Sequence, residues 1–264
     1  MSDRDSSSDS AGLEDVQRVF EEFGRNDPMY AALTRGGHHG NRWDPDAFFA
    51  TGRGEIADVM SYVASLGLEP QRGRALDFGC AVGRLTQALA DHFRHADGVD
   101  IATAMVERAR EYNRHGERVR YHANAAPDLA LFESGSFDFA YSNKVLQHIP
   151  PQNQLRYIRE LVRVLRPGGV AVFQTRNGPV VRPRTVRALL YTLNRRYFRR
   201  FAQHIRRRPA YEMHYVARAL VEAAVAEAGG QVVDVVDLSR GRPGRSLRYC
   251  VTRRPTAPAA AASP

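Results

Sequence analysis

Cysteine, lysine and tryptophan are nearly absent from this chain of 264 residues, which holds two cysteines (Cys80 and Cys250), one tryptophan (Trp43) and one lysine (Lys144). Two cysteines exclude a disulfide framework and make a reducing compartment, the cytoplasm, the expected location. No Cys/His spacing resembles a zinc site, so no metal is expected. No apolar run approaches the eighteen or so residues of a membrane-spanning helix. The opening stretch, MSDRDSSSDSAGLEDV, is polar and acidic, which is unlike a secretory signal or a transit peptide. Acidic residues are missing altogether between Glu160 and Glu212.

Hydrophobic residues make up 43 % of the chain, enough for a sizeable core, and the length suits one large domain with additions. The net charge of +9 suggests a nucleic-acid partner until it is located. Residues 182–208 hold ten arginines and no acid, so the remainder of the chain sums to about −1. Arginine in place of lysine throughout reflects a GC-rich coding sequence more readily than phosphate binding. The charge therefore belongs to one segment.

Residues 1–12 and 255–264 have the composition of disordered tails. Leu13, Val16, Val19, Phe20 and Phe23 fall at helical spacing, and Asp44-Pro45 opens a second helical stretch, continued by a run over 55–66 with Thr51-Gly52 just ahead of it, where Gly52 permits a tight turn. Residues 13–70 are therefore expected to form a helical cap before a sheet. From Arg74 strand-like runs (75–78, 96–99, 119–122, 137–142, 170–175) alternate with helix-like runs (84–92, 104–113, 152–165). After a helical run at 215–228, strands at 231–238 and 248–253 could pair as an antiparallel hairpin. Such alternation implies βαβ units and a mostly parallel sheet covered on both faces.

The densest signal is Ala75-Leu76-Asp77-Phe78-Gly79-Cys80-Ala81-Val82-Gly83-Arg84, an apolar strand ending in an acid, a glycine turn and a helix start. Glycines there let a ligand approach the backbone. Asp100 closes the next strand about twenty residues on, where an acid can hold both hydroxyls of a ribose. Asp77 stands where a pyrophosphate would disfavour a carboxylate, and the turn lacks the G-x-G-x-x-G spacing. These features favour S-adenosylmethionine, which carries an ammonium and no phosphate, over NAD.

On these residues the chain resembles the class I S-adenosylmethionine-dependent methyltransferases, in the small-molecule branch that includes the quinone-biosynthesis type. Asp77–Gly83 resembles the family's first motif, with Ala81 in place of the middle glycine. Gly98-Val99-Asp100-Ile101 resembles the second, and His122-Ala123-Asn124-Ala125 the third, with Asn124 where an aspartate is common. Residues 136–150 resemble the fourth, and 161–169 the turn before the fifth strand. The resemblance implies a Rossmann-like α/β fold with a seven-stranded, mostly parallel sheet and an antiparallel C-terminal hairpin. It implies cofactor contacts from Asp77, Gly79, Cys80, Ala81 and Gly83, from Asp100, Ile101 and Met105, and from Asn124, Ala125 and Asn143. It further implies a cofactor-binding core over 71–178 that resumes at 211–254, interrupted by an inserted basic lid helix at 179–210.

The implied reaction is an in-line displacement on a methyl carbon, and a hydroxyl nucleophile calls for a general base. His148, after the fourth strand, is the candidate, with loop capping as its alternative role. His38, His39 and Trp43 in the Gly-rich cap and His214 before the last helix are candidates for the acceptor pocket, each with a plain loop or helix-entry alternative. The expected acceptor is a small molecule methylated on oxygen, such as a sugar or a natural-product phenol. An RNA methyltransferase and a catalytically silent cofactor-binding protein are the alternatives. The segment 182–208 reads as an amphipathic basic helix. Its open roles are a solvated lid, recognition of an acidic acceptor, peripheral membrane contact to reach a lipid-linked one, and nucleic-acid binding.

Overall fold

The computed structural model describes residues 3–178, 213–239 and 245–254. The expected lid over 179–210 and the tail at 255–264 lie outside the described residues. The strands are β1 (Arg74–Phe78), β2 (His95–Asp100), β3 (Val119–Ala123), β4 (Phe137–Ser142), β5 (Leu165–Asn177), β6 (Gly230–Asp237) and β7 (Arg245–Arg253). The helices are α1 (Asp3–Asn26), α2 (Pro28–Ala32), α3 (Pro45–Ser65), α4 (Arg84–Leu89), α5 (Thr103–Glu111), α6 (Pro151–Val164) and α7 (Arg218–Glu227).

The strands form one sheet in the order β3-β2-β1-β4-β5-β7-β6. Strands β1 to β5 run parallel, and β7 inserts antiparallel between β5 and β6. The expected C-terminal hairpin is present, with its second strand as the one that joins the sheet. Alternate residues of β5 divide between two cores. Ala171 and Phe173 meet α6 and α7 through Ile158, Leu161 and Val225. Val170 and Val172 face the opposite cluster, which holds Ile56 and Val59 of α3 and Leu85 and Leu89 of α4. The two-residue period of a strand thus puts an apolar surface on both faces, and helices must cover each.

Three boundaries differ from the sequence expectation. The tail expected over 1–12 is helical from Asp3. The serines and aspartates that mimic disorder in composition are also residues that suit a helix N-terminus. Strand β5 begins at Leu165 instead of Val170, because the pairing shifts register between Phe137↔Leu165 and Phe139↔Val170 and absorbs the Arg-Pro-Gly-Gly stretch. Thr51 and Gly52, expected just ahead of a helix, lie inside α3, which is continuous from Pro45. The Asp44 carboxylate starts this helix by accepting the Ala47 N–H at 2.8 Å. Gly52 is required by contact: a Cβ there would stand 2.3 Å from the Arg84 carbonyl oxygen.

The order of the sheet reverses between β1 and β4, where chains leave in opposite directions and a crevice opens beyond the C-terminal strand ends. The cap helices lie over this crevice. Gly24 of α1 packs on Ala104 and Met105 of α5, and the Glu21 carboxylate accepts the Thr103 and Ala104 N–H groups at 2.5 and 3.1 Å. Those are orphan donors at the start of α5, so one side chain both caps that helix and ties the cap to the sheet.

Candidate functional site

Above the C-terminal ends of β1, β2, β3 and β4 lies a cavity of about 710 Å³. That size is ordinary for a small-molecule site. The chain turns sharply at its floor. Gly79 has φ 79° and Ala81 φ 45°, and a Cβ on Gly79 would fall 2.3 Å from the Val145 side chain. The N–H groups of Gly79 and Cys80 both go to the Val99 carbonyl, at 2.8 and 3.0 Å. The turn therefore offers no amide cradle for a phosphate from these two residues.

Asp100 is the half-buried acid of this floor. Its two oxygens accept the Ala81 and Ala102 N–H groups, each at 2.9 Å, which locks the first turn to the end of β2. Burial pushes its carboxyl up, against the pull of the amides of Ala102, Ala81 and Ile101. Each carboxylate oxygen can take a second donor, so the group retains capacity for two hydroxyls. Gly79, Ala81, Asp100, Ile101 and Met105 all line the cavity, as do Asn124 and Asn143. The Asn143 amide donates to Glu55 at 2.7 Å, within a set that also joins Glu55 to Tyr141 at 3.0 Å and to Arg84 at 2.8 Å. Burial opposes charge on Glu55, but the Arg84 guanidinium and the three donors outweigh it and hold the carboxyl below its usual range.

Four residues expected at the cofactor do not line the cavity. Asp77 is buried beneath the turn and accepts the Thr86 hydroxyl at 2.6 Å. Burial raises its carboxyl to about 7, despite Thr86 and the neighbouring Arg84. Cys80 points into the core against Gly98, which leaves its thiol buried. Gly83 caps α4 at φ 81°, pressed so closely on the Tyr121 ring that a Cβ would fall 2.2 Å from the hydroxyl. Ala125 is exposed beside Asn124. A motif is a contiguous run, whereas a turn sends successive side chains in different directions, so only part of it can face a ligand.

The opposite wall is built by the cap and the turn after β4. Leu13, Phe20 and Phe23 of α1 and Tyr30 of α2 present apolar and aromatic surface to the cavity. His148 lines it from the 3-10 turn Leu146–His148, its ring 5.7 Å from that of Phe20. The Gln147 amide nitrogen lies 3.2 Å from His148 Nε2, so as oriented the amide donates and Nε2 accepts. Trp43 and His38 are elsewhere: their rings stack 3.8 Å apart, and Trp43 packs against Phe48 in the core that supports the cap. Of the two adjacent cap histidines, His39 is the one at the cavity, held 4.0 Å from Asp27, whose carboxylate accepts the Gly40 and Asn41 N–H groups. His214 does not line the cavity either. Its backbone N–H donates to the Gln147 carbonyl at 2.7 Å, and the preceding Met213 is the lining residue. Tyr30, Lys144 and Tyr157 are lining residues that the sequence pattern did not single out for the pocket. The adjacent pair His38-His39 was readable as a candidate, but the sequence cannot tell which of the two rings turns inward.

Among the described residues no group of three or more His, Cys, Asp or Glu side chains could hold a metal ion, and no helix is long and apolar enough to cross a membrane.

Residues 76–173 match a family described as "Methyltransferase domain". A ubiquinone biosynthesis O-methyltransferase from Bordetella avium is 29% identical over 136 residues, 51% of this chain and 56% of that protein. One from Xanthomonas axonopodis pv. citri is 33% identical over 119 residues, 45% of this chain and 48% of that protein. The chain thus spans about half the length of the curated relatives it matches. Among solved structures, magnesium protoporphyrin IX methyltransferase from Synechocystis PCC 6803 with bound S-adenosylhomocysteine superimposes with TM-score 0.59 at 18% identity, covering 90% of this chain and 98% of that one. A protein from Pyrococcus horikoshii OT3 gives 0.56 at 18% identity, covering 88% and 99%. Sheet order, crevice, motif positions and these likenesses agree: residues 76–173 match a methyltransferase domain, and the fold around them is similar to that of solved methyltransferases.

Proposed function

We propose that this protein transfers a methyl group from S-adenosylmethionine to a hydroxyl oxygen of a small molecule. The observation that carries this reading is the joining of two unlike walls in one cavity: Asp100 with the turn Gly79–Ala81 on one side, His148 among aromatic side chains on the other. The residues present fit the cofactor. A half-buried acid with spare acceptor capacity suits ribose hydroxyls, Ile101 and Met105 offer apolar surface for a base, and Asn124 lines the same cavity. When bound, S-adenosylmethionine supplies a methyl group on a sulfonium centre, so transfer forms a carbon–oxygen bond, breaks a carbon–sulfur bond and leaves one proton to be accepted.

His148 is the group proposed to take that proton. The Gln147 amide holds its ring with Nε2 as the acceptor, the state a base requires, and an acceptor hydroxyl would take the place of the amide. The cap helices keep water from the reacting atoms, and the aromatic wall aligns the acceptor. That wall favours a phenol, or an alcohol on an apolar body, over a sugar. The expected acceptor is thus narrower than the sequence alone indicates. Reading the arginine segment as an acidic-acceptor or lipid-surface contact remains a proposal about residues 182–208, outside the described residues.

Calorimetry with S-adenosylmethionine, followed by S-adenosylhomocysteine release against a panel of phenols, tests the reading. His148→Ala is expected to lower kcat 10²- to 10⁴-fold, the usual span of general-base catalysis, and to flatten the acidic limb of the pH profile. Near-normal turnover of the variant across that range would remove His148 from the mechanism.

A further inference from the structure

We infer that Lys144 selects acceptors that carry an anionic oxygen group, a carboxylate or a phosphate, on their apolar body. The inference rests on the methyl-transfer reading and names the substrate class of the same cavity. Four charged residues bear on it: Asp27, Asp100, Glu22 and Lys144 line the cavity. The carboxylates of Asp27 and Asp100 are each engaged by two backbone N–H groups, and Glu22 is exposed on α1. Lys144 is the single cation among the described lining residues, and no described carboxylate pairs with its ammonium. Residues 178–211, which follow β5 in sequence, contain no acid at all.

The backbone that carries Lys144 is held in place. Its φ is 62°, and its N–H donates to Gln174 Oε1 at 3.1 Å. Gln174 is 4 % exposed and donates in turn to Ser246 at 2.9 Å, so β5 and β7 both brace the turn. Lys144 follows Asn143 and stands four residues before His148, on the segment that proposes the base. The side chain itself is exposed, which puts the charge where the cavity meets solvent. Every other cationic side chain in the chain is arginine. An ammonium on a flexible stem is a point charge that follows a ligand oxygen without demanding the fork geometry of a guanidinium. A neutral apolar acceptor gains nothing from such a group, whereas an anionic one is oriented by it, with its hydroxyl directed toward His148.

The test uses three ligands with a common ring and hydroxyl: 4-hydroxyphenylacetate, its methyl ester and 4-hydroxyphenyl phosphate. Their affinities for the full chain with S-adenosylhomocysteine bound are read by calorimetry, and the ratio of anion to ester is the measured quantity. The wild-type protein is expected to favour at least one anion tenfold or more; which of the two leads identifies the group. Lys144→Gln is expected to bring the ratio to about one and Lys144→Glu to invert it. A ratio, unlike an affinity, does not depend on the fraction of variant that is folded. Equal affinity of the wild-type protein for anions and ester, including none for any, overturns the inference, as does a Lys144→Gln ratio equal to wild type. Methylation of ester and anions alike would sink the selectivity and leave methyl transfer standing. A charge-dependent ratio with no methyl transfer to any of the three would do the reverse.

Discussion

At the scale of single residues, two acids that the sequence motifs mark alike take different places, one beneath the first turn and one at the cavity. Asp77 is buried beneath the turn with Thr86, whereas the half-buried Asp100 reaches the cavity. The consequence of Asp77's burial is a pH effect. Its carboxyl is raised to about 7 in the folded protein from an ordinary value of 3.8, so the folded state holds a proton that the unfolded chain has released. The stabilisation from that proton is complete below about pH 4 and is lost as pH rises through about 7. Asp77→Asn keeps the contact with Thr86 and has no proton to lose. Relative to wild type, the stability of this variant is expected to increase steadily between pH 4 and 7. Chemical denaturation at three pH values in that range checks it, and a pH-independent difference would contradict it.

At the scale of elements, most boundaries were readable because periodicity and capping signal them locally. Pro45 after Asp44 announces α3, and the apolar positions of α6, Ile158, Leu161 and Val162, announce the face that packs on the sheet. What was not readable is contact between elements remote in sequence. Gly52 looked like a turn residue because glycine usually marks one, but here it admits the Arg84 carbonyl between α3 and α4. Gly52→Ala is expected to destabilise the protein by about 1–3 kcal/mol, although alanine is the better helix former, since the crowding atom is backbone and cannot rotate away. A lower denaturant midpoint at unchanged slope is the expected result. A gain in stability would show that α3 and α4 can separate freely. The adjacent Arg84–Glu55 pair depends on the same packing, because both partners are drawn from these two helices.

At the scale of the whole molecule, the cavity belongs to no single segment. Its floor comes from strand ends between Phe78 and Asn124, one wall from the turn after β4 and another from α1 and α2. A ligand that bridges these parts should stabilise the entire fold. With S-adenosylhomocysteine at 100 times its Kd, unfolding should cost about 2.7 kcal/mol more, seen as a raised Tm. Asp100→Ala should abolish most of that rise, and a full rise in the variant would show that the ligand binds elsewhere. The sequence by itself determined the class of fold, the order of strands and helices, and the acid at the end of β2. Those depend on two-residue and helical periods and on short motifs, which are properties of neighbours along the chain. It also located the net charge of +9 in residues 182–208. Tertiary structure alone decided that Asp77, Cys80 and Gly83 support the turn from beneath, that His39 instead of His38 faces the cavity, and that Lys144 stands at its edge. The physical reason is the same in each case: which way a side chain points depends on the turn that carries it and on what already fills the space behind, and those partners come from distant parts of the chain.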